Sequence, residues 1–215
     1  MAEAPEGVPI SAIVFGGRRP SLLPLVFEAH DWAHGVLLGA SMGSETTAAA
    51  TGAVGVLRRD PMAMKPFCGY NYGDYFAHWL SFDRPGAHLP RVFHVNWFRK
   101  GADGRFLWPG FGDNLRVLEW IIGRCDGSSA AQETPIGWLP RAADLDLEGL
   151  ALPEAALDEL LAVDAAGWQR ELVDIGTYLD TYGSHTPECL RAEQRRVAEA
   201  LAAAAPPERK VATAG

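Results

Sequence analysis

The chain has 215 residues, of which 48% are hydrophobic and 21% are charged, an ordinary composition for a globular protein of one large or two small domains. Its formal net charge of −8 argues against a general nucleic-acid-binding protein, because such a protein needs a dominant basic face to displace counterions. The sequence has no apolar run near the roughly 18 residues of a transmembrane helix, no signal-peptide pattern at its N-terminus, and three cysteines without CxxC spacing. We therefore expect a cytoplasmic protein with no nucleic-acid or membrane partner.

The N-terminal part of the sequence predicts strands separated by glycine-rich loops. Residues 8–15 predict a strand that runs into the turn GGRRP, and the apolar run GVLLGA at 35–40 predicts a second strand. The segment SMGSETTAAATGAVG, residues 41–55, offers almost no large apolar group and predicts a mobile loop.

Helices become more frequent toward the C-terminus. YGDYFAHWL predicts a helix, and the alternation in residues 91–98 predicts a strand. Asp113 or Asn114 is placed to cap a helix whose apolar stripe, expected to pack inward, is formed by Leu115, Leu118, Ile122 and Cys125.

The last third of the sequence predicts three amphipathic helices, starting near Pro153, Ala166 and Pro187. In the second of them a packing stripe is formed by Trp168, Leu172, Ile175 and Leu179. The expected fold class is α/β, a mixed sheet with glycine-rich loops followed by a helical C-terminal layer. Residues 1–204 are expected to form the folded part, and residues 205–215 a disordered tail.

Three short motifs each have a plain structural interpretation as well as a functional one. In GGRRP, either Arg18 or Arg19 suits a phosphate or carboxylate, or both are solvated on a turn. Gly39 to Gly43 match the GxSxG pattern of serine hydrolases, with Ser41 as nucleophile and His185 as its base, but a flexible loop follows where the motif needs a helix. His30 and His34 have a metal-ligand spacing without HExxH, so ordinary core or surface positions are favoured.

The segment VNWFRKGADGRFLWPGFGDNLRVLEW, residues 95–120, concentrates aromatic rings among glycines and polar groups. Rings separated by glycine suit stacking on a planar guest, and nearby amides can contact its polar edge, so a purine is the expected ligand. A buried aromatic cluster explains about half of the rings but explains the glycines poorly. GxxxxGK[ST] does not occur in the sequence, so the chain has no phosphate-binding P-loop of that kind.

Several long stretches resemble the C-terminal third of the GTP-dependent phosphoenolpyruvate carboxykinase family. They include PEGVPISAIVFGGRRP, HGVLLGASMGSETTAAA, RRDPMAMKPFCGYN, VNWFRK and GRFLWPGFGDN, and the similarity covers about residues 5–200. The resemblance implies a partial domain of that family's fold. It also implies the conversion of oxaloacetate and GTP to phosphoenolpyruvate, GDP and carbon dioxide, with manganese and magnesium, in gluconeogenesis.

The resemblance also implies roles for individual residues. The guanine pocket has aromatic walls and a polar base edge, formed by Trp97, Phe98, Phe106, Phe111, Gly112, Asp113 and Asn114. Arg18 is implied to contact the nucleotide phosphates. The segment from Thr46 to Val56, with Gly52 and Gly55, is implied to be a mobile lid. Asp113 stands where the family usually has glutamate, and the lid lacks a lysine that relatives often carry there.

The family's catalytic residues and metal ligands are implied to lie upstream of the matched region. We therefore expect no catalytic or metal-binding residue in this chain, no activity from the chain alone, and a partnership with the upstream part of the same enzyme. A stand-alone nucleotide-binding module and the GxSxG hydrolase are the alternatives.

Overall fold

The protein is a mixed α/β structure built on a five-stranded mixed sheet. The computed structural model describes residue 5 and residues 7–46 and 55–204. The strand order is β1–β5–β2–β7–β6, with β1 and β5 parallel and the other pairs antiparallel. The strands of this sheet are β1 (Ala12–Gly16), β2 (Val26–Glu28), β5 (Arg91–Val95), β6 (Gln132–Thr134) and β7 (Gly137–Leu139).

Six α-helices lie in the described part of the chain. Their bounds are α1 (Trp32–Ala40), α2 (Tyr72–Leu80), α3 (Asn114–Asp126), α4 (Glu154–Leu161), α5 (Ala165–Asp180) and α6 (Glu188–Ala204). The prediction of three C-terminal helices is confirmed, and all four members of the α5 stripe are buried. None of the described helices is both long and apolar enough to cross a bilayer.

Apolar side chains fill both faces of the sheet. Successive residues of a strand point to opposite faces. Accordingly Phe27 and Val92 pack with α1, α2, α5 and α6, whereas Val26 and Phe93 pack with α3 and α4. The sheet is therefore the middle layer between two helical layers, and the loops at the strand ends carry the polar groups.

The predicted strand at 35–40 is wrong, because these residues belong to helix α1. Nearly every residue of α1 is buried, so the run lacks the polar face that would show helical periodicity, and a short apolar run does not distinguish a strand from a buried helix. Asp31 begins the helix by accepting a hydrogen bond from the His34 backbone N–H at 2.9 Å. A Cβ added to Gly35 would lie 2.5 Å from Val92, so this glycine lets α1 approach the sheet closely.

The prediction for α3 is correct in its start, but the stripe that it names is not the buried face. Val117, Trp120 and Ile121 point into the core, whereas Leu115 and Ile122 are 68% and 59% exposed. Both stripes have helical periodicity, and the larger Trp120 side chain packs on Phe93 at a ring-centroid distance of 6.0 Å. Asp113 is at the N-cap position but makes no side-chain capping bond.

A two-stranded hairpin projects from the first part of the fold. It consists of β3 (Gly43–Glu45) and β4 (Leu57–Arg59), which pair antiparallel. At the loop end of the hairpin, the Thr46 N–H donates to the Val56 carbonyl and the Gly55 N–H donates to the Thr46 carbonyl, each at 3.0 Å. The predicted lid thus continues from this hairpin, and its residues 47–54, including Gly52, lie outside the described residues.

Candidate nucleotide site

The buried side chain of Asn96 joins the turn after β1 to the aromatic segment after β5. Its Nδ2 donates to the carbonyls of Arg19 at 2.8 Å and Leu23 at 3.1 Å. Its Oδ1 accepts from the backbone N–H groups of Arg19 at 3.3 Å and Phe98 at 3.2 Å. Because Asn96 is fully buried and uses both ends of its amide, it sets the position of the turn relative to Phe98.

The turn also packs closely against the hairpin. The Arg18 N–H donates to the Ser44 hydroxyl at 3.1 Å, and the Glu45 N–H donates to the Arg18 carbonyl at 2.9 Å. A Cβ on Gly17 would lie 2.3 Å from the Gly43 carbonyl oxygen, so only glycine allows this approach. The second glycine of the GGRRP motif is therefore required by packing against the hairpin.

The two arginines of the motif have different surroundings. Arg18 is exposed and forms no side-chain ion pair with another described residue. Arg19 is buried, and its guanidinium donates to both carboxylate oxygens of Glu171, at 2.9 and 2.8 Å. The structure thus leaves Arg18 as the arginine that a ligand can reach.

Arg18 lies where two small clefts adjoin. One cleft, of about 230 Å³, runs from the turn to Trp97 and Phe98. The other, of about 290 Å³, runs from the turn to Thr46 at the base of the predicted lid and to Arg58. Gly16, Arg18 and Ser44 line both clefts. One arginine therefore faces two predicted wall residues on one side and the lid hairpin on the other.

The Phe106 ring lies against Phe98 across the aromatic segment. The centroids are 6.0 Å apart with the planes at 78°, and a bridge between Lys100 and Phe106 holds the two arms of the segment together. The Lys100 ammonium nitrogen is 5.4 Å from the Phe106 centroid. Phe106 is 57% exposed, so part of its ring faces solvent.

Of the remaining predicted pocket residues, Phe111, Gly112 and Asp113 form the 3-10 turn before α3 and Asn114 begins α3. None of the four lines the two clefts. Phe111 is 97% exposed. Asp113 accepts from Arg116 Nε at 3.0 Å, and the Asn114 side-chain oxygen accepts from the Trp108 indole N–H at 2.9 Å. The structure therefore brings Arg18, Trp97 and Phe98 to one cleft and sets Phe106 against Phe98. It leaves Phe111, Gly112, Asp113 and Asn114 outside the two clefts.

Sequence reasoning missed Asn96 and the carboxylate that holds Arg19. Burial alone would raise the pKa of Glu171, but the hydrogen bond and charge of Arg19 and the charge of Arg59 outweigh it and hold the pKa below its usual range. Asn96 did leave a signal in the sequence, because it is a polar residue between the end of a strand and two aromatic residues. Glu171 gave no local signal, because it is 152 residues away from Arg19 along the chain.

The histidine pair has the structural role that the sequence favoured. The His34 ring accepts from the His30 backbone N–H at 3.1 Å, and the two rings stack at 5.2 Å. Burial, followed by the charge of His30, lowers the pKa of His34 to about 3. Among the described residues no group of three or more histidine, cysteine, aspartate or glutamate side chains is arranged to hold a metal ion.

The GxSxG alternative is not favoured by the geometry around Ser41. The serine follows helix α1, whereas the hydrolase motif requires a strand before it and a helix after it. Ser41 is buried, and its hydroxyl donates to the Leu37 carbonyl at 2.7 Å. His185 is paired instead with Asp74 at 2.8 Å.

Known proteins similar to this chain share one enzyme name. Residues 1–200 match the family described as phosphoenolpyruvate carboxykinase C-terminal P-loop domain. The chain is 54% identical over 198 residues to the phosphoenolpyruvate carboxykinase (GTP) of Chlamydia trachomatis, covering 92% of this chain and 33% of the relative. It is 54% identical over 189 residues to that of Thermoplasma volcanium, covering 88% of this chain and 32% of the relative.

The enzyme of the same name from Neocallimastix frontalis is 55% identical over 202 residues, which are 93% of this chain and 33% of the relative. The chain thus spans about one third of the length of the curated relatives that it matches. With residues 1–200 matched and relatives more than half identical, the chain belongs to the GTP-dependent phosphoenolpyruvate carboxykinase family.

Proposed function

We propose that this chain supplies the guanine-nucleotide part of the active site of a GTP-dependent phosphoenolpyruvate carboxykinase. The observation that carries the proposal is the Asn96 bridge, which places the free guanidinium of Arg18 beside Trp97 and Phe98. A guanidinium suits phosphate oxygens, and the rings suit a purine face. The reaction of the complete enzyme is proposed to be the conversion of oxaloacetate and GTP to phosphoenolpyruvate, GDP and carbon dioxide.

Binding of guanine between Phe98 and Phe106 requires a change in ring orientation. A base stacked on both sides needs parallel rings about 7 Å apart, from two contacts of about 3.5 Å each. The rings are instead 6.0 Å apart at 78°, so they contact each other where the base would lie. Phe106 is the exposed member of the pair, and we infer that its ring rotates outward on binding.

Gly112, Asp113 and Asn114 are proposed to bind the polar edge of the base. The Trp108 indole fixes the oxygen of the Asn114 amide, which leaves the amide NH₂ directed elsewhere as a donor. Asp113 is held by Arg116, which also donates to the Asp146 and Glu148 carbonyls at 2.9 Å. Because Arg116 fixes the position of the Asp113 carboxylate, we expect the shorter aspartate to change base recognition little relative to the glutamate that the family usually has.

The hairpin formed by β3 and β4 is proposed to carry a lid, residues 46–56. Its fixed end adjoins the cleft of Arg18, since Ser44, Thr46 and Arg58 line that cleft. Closure of such a segment would exclude water from the phosphates. The proposal places the moving part beside the phosphate group of the nucleotide and away from the aromatic walls.

The phosphoryl-transfer chemistry is proposed to reside in the upstream part of the enzyme, outside this chain. Such transfer depends on a phosphate-binding loop and metal ions. The sequence has no GxxxxGK[ST] motif, and the described residues have no metal-binding cluster. Manganese and magnesium would be supplied with that upstream part. A stand-alone nucleotide-binding module is not favoured, because the relatives are three times as long and carry the enzyme's name.

An exposed apolar surface is proposed to receive this upstream part. On α3 the side chains of Leu115, Leu118 and Ile122 are exposed, and they adjoin the strand whose Val14 is also exposed. The Cys125 thiol lies 3.5 Å from the Ser11 carbonyl and joins the two elements. No described strand pairs with the outer edge of β1, so its backbone groups are available for an additional strand.

The test of the nucleotide site is a pair of phenylalanine variants in the chain reconstituted with the upstream part of the Chlamydia trachomatis enzyme. Phe106→Ala should weaken GTP binding by about one to two decades, because stacking contributes about 1–3 kcal/mol per base. Phe82→Ala is the matched control, since Phe82 is also partly exposed and packs on His78 away from the clefts. Equal GTP affinity for the two variants, measured by calorimetry, would refute the stacking role.

The same reconstitution tests activity. The chain alone should form no phosphoenolpyruvate from oxaloacetate and GTP with manganese, and the mixture should form it. Activity of the chain alone would contradict the division of the active site, and an inactive but stable complex would contradict the assignment of the reaction.

A further inference from the structure

A second cleft, of about 820 Å³, lies on the other side of the turn from Arg18. It is bounded by residues 19–22, by Leu57 and Arg59 of β4, by Arg99, and by the face of α5 that runs from Asp164 to Thr181. We call it the α5 cleft. It shares no lining residue with the two clefts of the nucleotide site. It is therefore a separate opening, formed by the opposite face of the same turn.

Two of the four arginines that line the α5 cleft are neutralised within the protein. Glu171 pairs with Arg19 at 2.8 Å and with Arg59 at 2.9 Å, and Arg59 also pairs with Asp174. All three members of the pair network on Glu171 are at least nine-tenths buried. In this network the charges of the two arginines are balanced by the two carboxylates, so it offers an incoming anion little electrostatic attraction.

Arg99 is different, because it is buried without a carboxylate partner. It is 8% exposed, and its one hydrogen bond is a long one, from Nη1 to the Leu22 carbonyl at 3.5 Å. Among residues 7–46 and 55–204 no carboxylate lies within 4.0 Å of its guanidinium. Burial lowers the pKa of Arg99, and the charges of Glu159 and Asp164, acting from a greater distance, partly offset this. A guanidinium has five N–H donors. The nitrogens of Arg99 that have no partner in the described part of the chain are not fully buried, so they are open to the cleft.

Arg170 is the fourth arginine of the cleft, and it lies on the exposed side. It forms no ion pair with another described residue. It is in the second turn of α5, whose N-terminal end is capped by Asp164. The α5 cleft thus has one unpaired guanidinium on its inner wall and another at its rim.

We propose that the α5 cleft is an anion site that binds a small phosphate- or carboxylate-bearing molecule. Arg99 would donate from the wall and Arg170 from the rim, and both would bind an oxyanion through the planar fork of the guanidinium. A volume of about 820 Å³ exceeds that of a bare ion and admits an organic acid or an organic phosphate. The proposal does not depend on the nucleotide function.

The experiment titrates the full 215-residue chain with inorganic phosphate and, separately, with citrate, in a chloride buffer at pH 7.5, by isothermal calorimetry. The expected result is saturable binding of at least one probe at one site per chain. Arg170→Gln should weaken it by about tenfold or more, as expected for the loss of a charged donor. Arg99→Gln should do the same. Binding of phosphate alone would identify a phosphate ligand, and binding of citrate alone a carboxylate ligand.

Two control variants separate this site from others. Arg84→Gln removes an exposed arginine in the loop between α2 and β5 and should leave the affinity unchanged. Arg18→Gln tests whether the probe binds at the nucleotide site instead, because Arg18 lines the clefts of that site and not the α5 cleft. Since Arg170 is exposed, Arg170→Gln keeps the fold and decides the outcome even if Arg99→Gln unfolds. Absence of saturable binding, unchanged affinity in Arg170→Gln, or loss of binding in Arg18→Gln would each overturn the proposal.

Discussion

Replacement of Asn96 by leucine tests whether this one side chain holds the two parts of the nucleotide site together. Leucine has a similar size but cannot form the four hydrogen bonds of the amide. Three of these bonds, to the Arg19 N–H and to the Arg19 and Leu23 carbonyls, are buried. A buried backbone group left without a partner costs about 1–3 kcal/mol. The lower end of that range gives a loss of about 3 kcal/mol in the free energy of unfolding.

The assay is urea denaturation of the 215-residue chain, followed by calorimetric titration with GTP in the reconstituted enzyme. The matched variant is Asn71→Leu, which removes an amide that caps α2 by accepting from the Gly73 N–H at 2.8 Å. Loss of a helix cap costs about 1 kcal/mol and should leave GTP affinity unchanged. Asn96→Leu should lower both stability and affinity, because Arg18 and Phe98 lose their shared anchor.

A loss below about 1 kcal/mol for Asn96→Leu would mean that water replaces the amide, because each buried group would otherwise cost at least that much. Unchanged GTP affinity, with the expected loss of stability, would refute the positioning role. In that case the turn and the aromatic segment keep their relative position without the bridge.

Three further predictions concern other parts of the molecule. Leu118→Lys should prevent complex formation with the upstream part of a relative, because it places a charge on the proposed surface. Val173→Lys makes the same kind of change on the exposed face of α5 and should leave the complex intact. Equal binding of the two variants in a pull-down would contradict the proposed surface. Gly55→Pro should lower turnover more than GTP affinity, because Gly55 has a φ of +81° that proline cannot adopt; equal losses in a steady-state assay would argue against a lid. Burial lowers the pKa of His34 and of His94 from 6.5 to about 3, so both rings stay neutral in the folded protein. Their contribution to the free energy of unfolding is therefore complete above pH 6.5 and is lost as the pH falls toward 3. With about 1.4 kcal/mol per unit for each group, the free energy of unfolding should be about 2–3 kcal/mol lower at pH 5.5 than at pH 7.5, and the double glutamine variant should lack this part of the slope in urea denaturation.

Elements with a one-sided pattern were predictable from the sequence. The stripe of α5, from Trp168 to Leu179, has a clear polar opposite face, so its periodicity identified both the helix and its buried side. The strand at 91–95 was also found, with its length overestimated by three residues, although both of its faces are buried. The family could be recognised because its motifs are contiguous in the chain.

Sequence reasoning failed for two helices, one with no polar face and one with two apolar stripes. Helix α1 is buried on nearly all sides and has no polar face, so its apolar run also fitted a strand. Helix α3 has two apolar stripes, and local periodicity could not show that Trp120 faces the core while Leu115 faces outward. The choice depends on which stripe finds the larger apolar partner across the sheet.

The sequence by itself determined the helices with one polar face, the aromatic segment and the membership of a family. The tertiary structure decided which of two adjacent arginines a ligand can reach, because Glu171, 152 residues away, neutralises Arg19 and leaves Arg18 free. It also decided that Asn96 joins the turn to the aromatic rings. Both outcomes depend on hydrogen bonds and charges between residues that are distant in the chain, and a local pattern of residues contains no information about such partners.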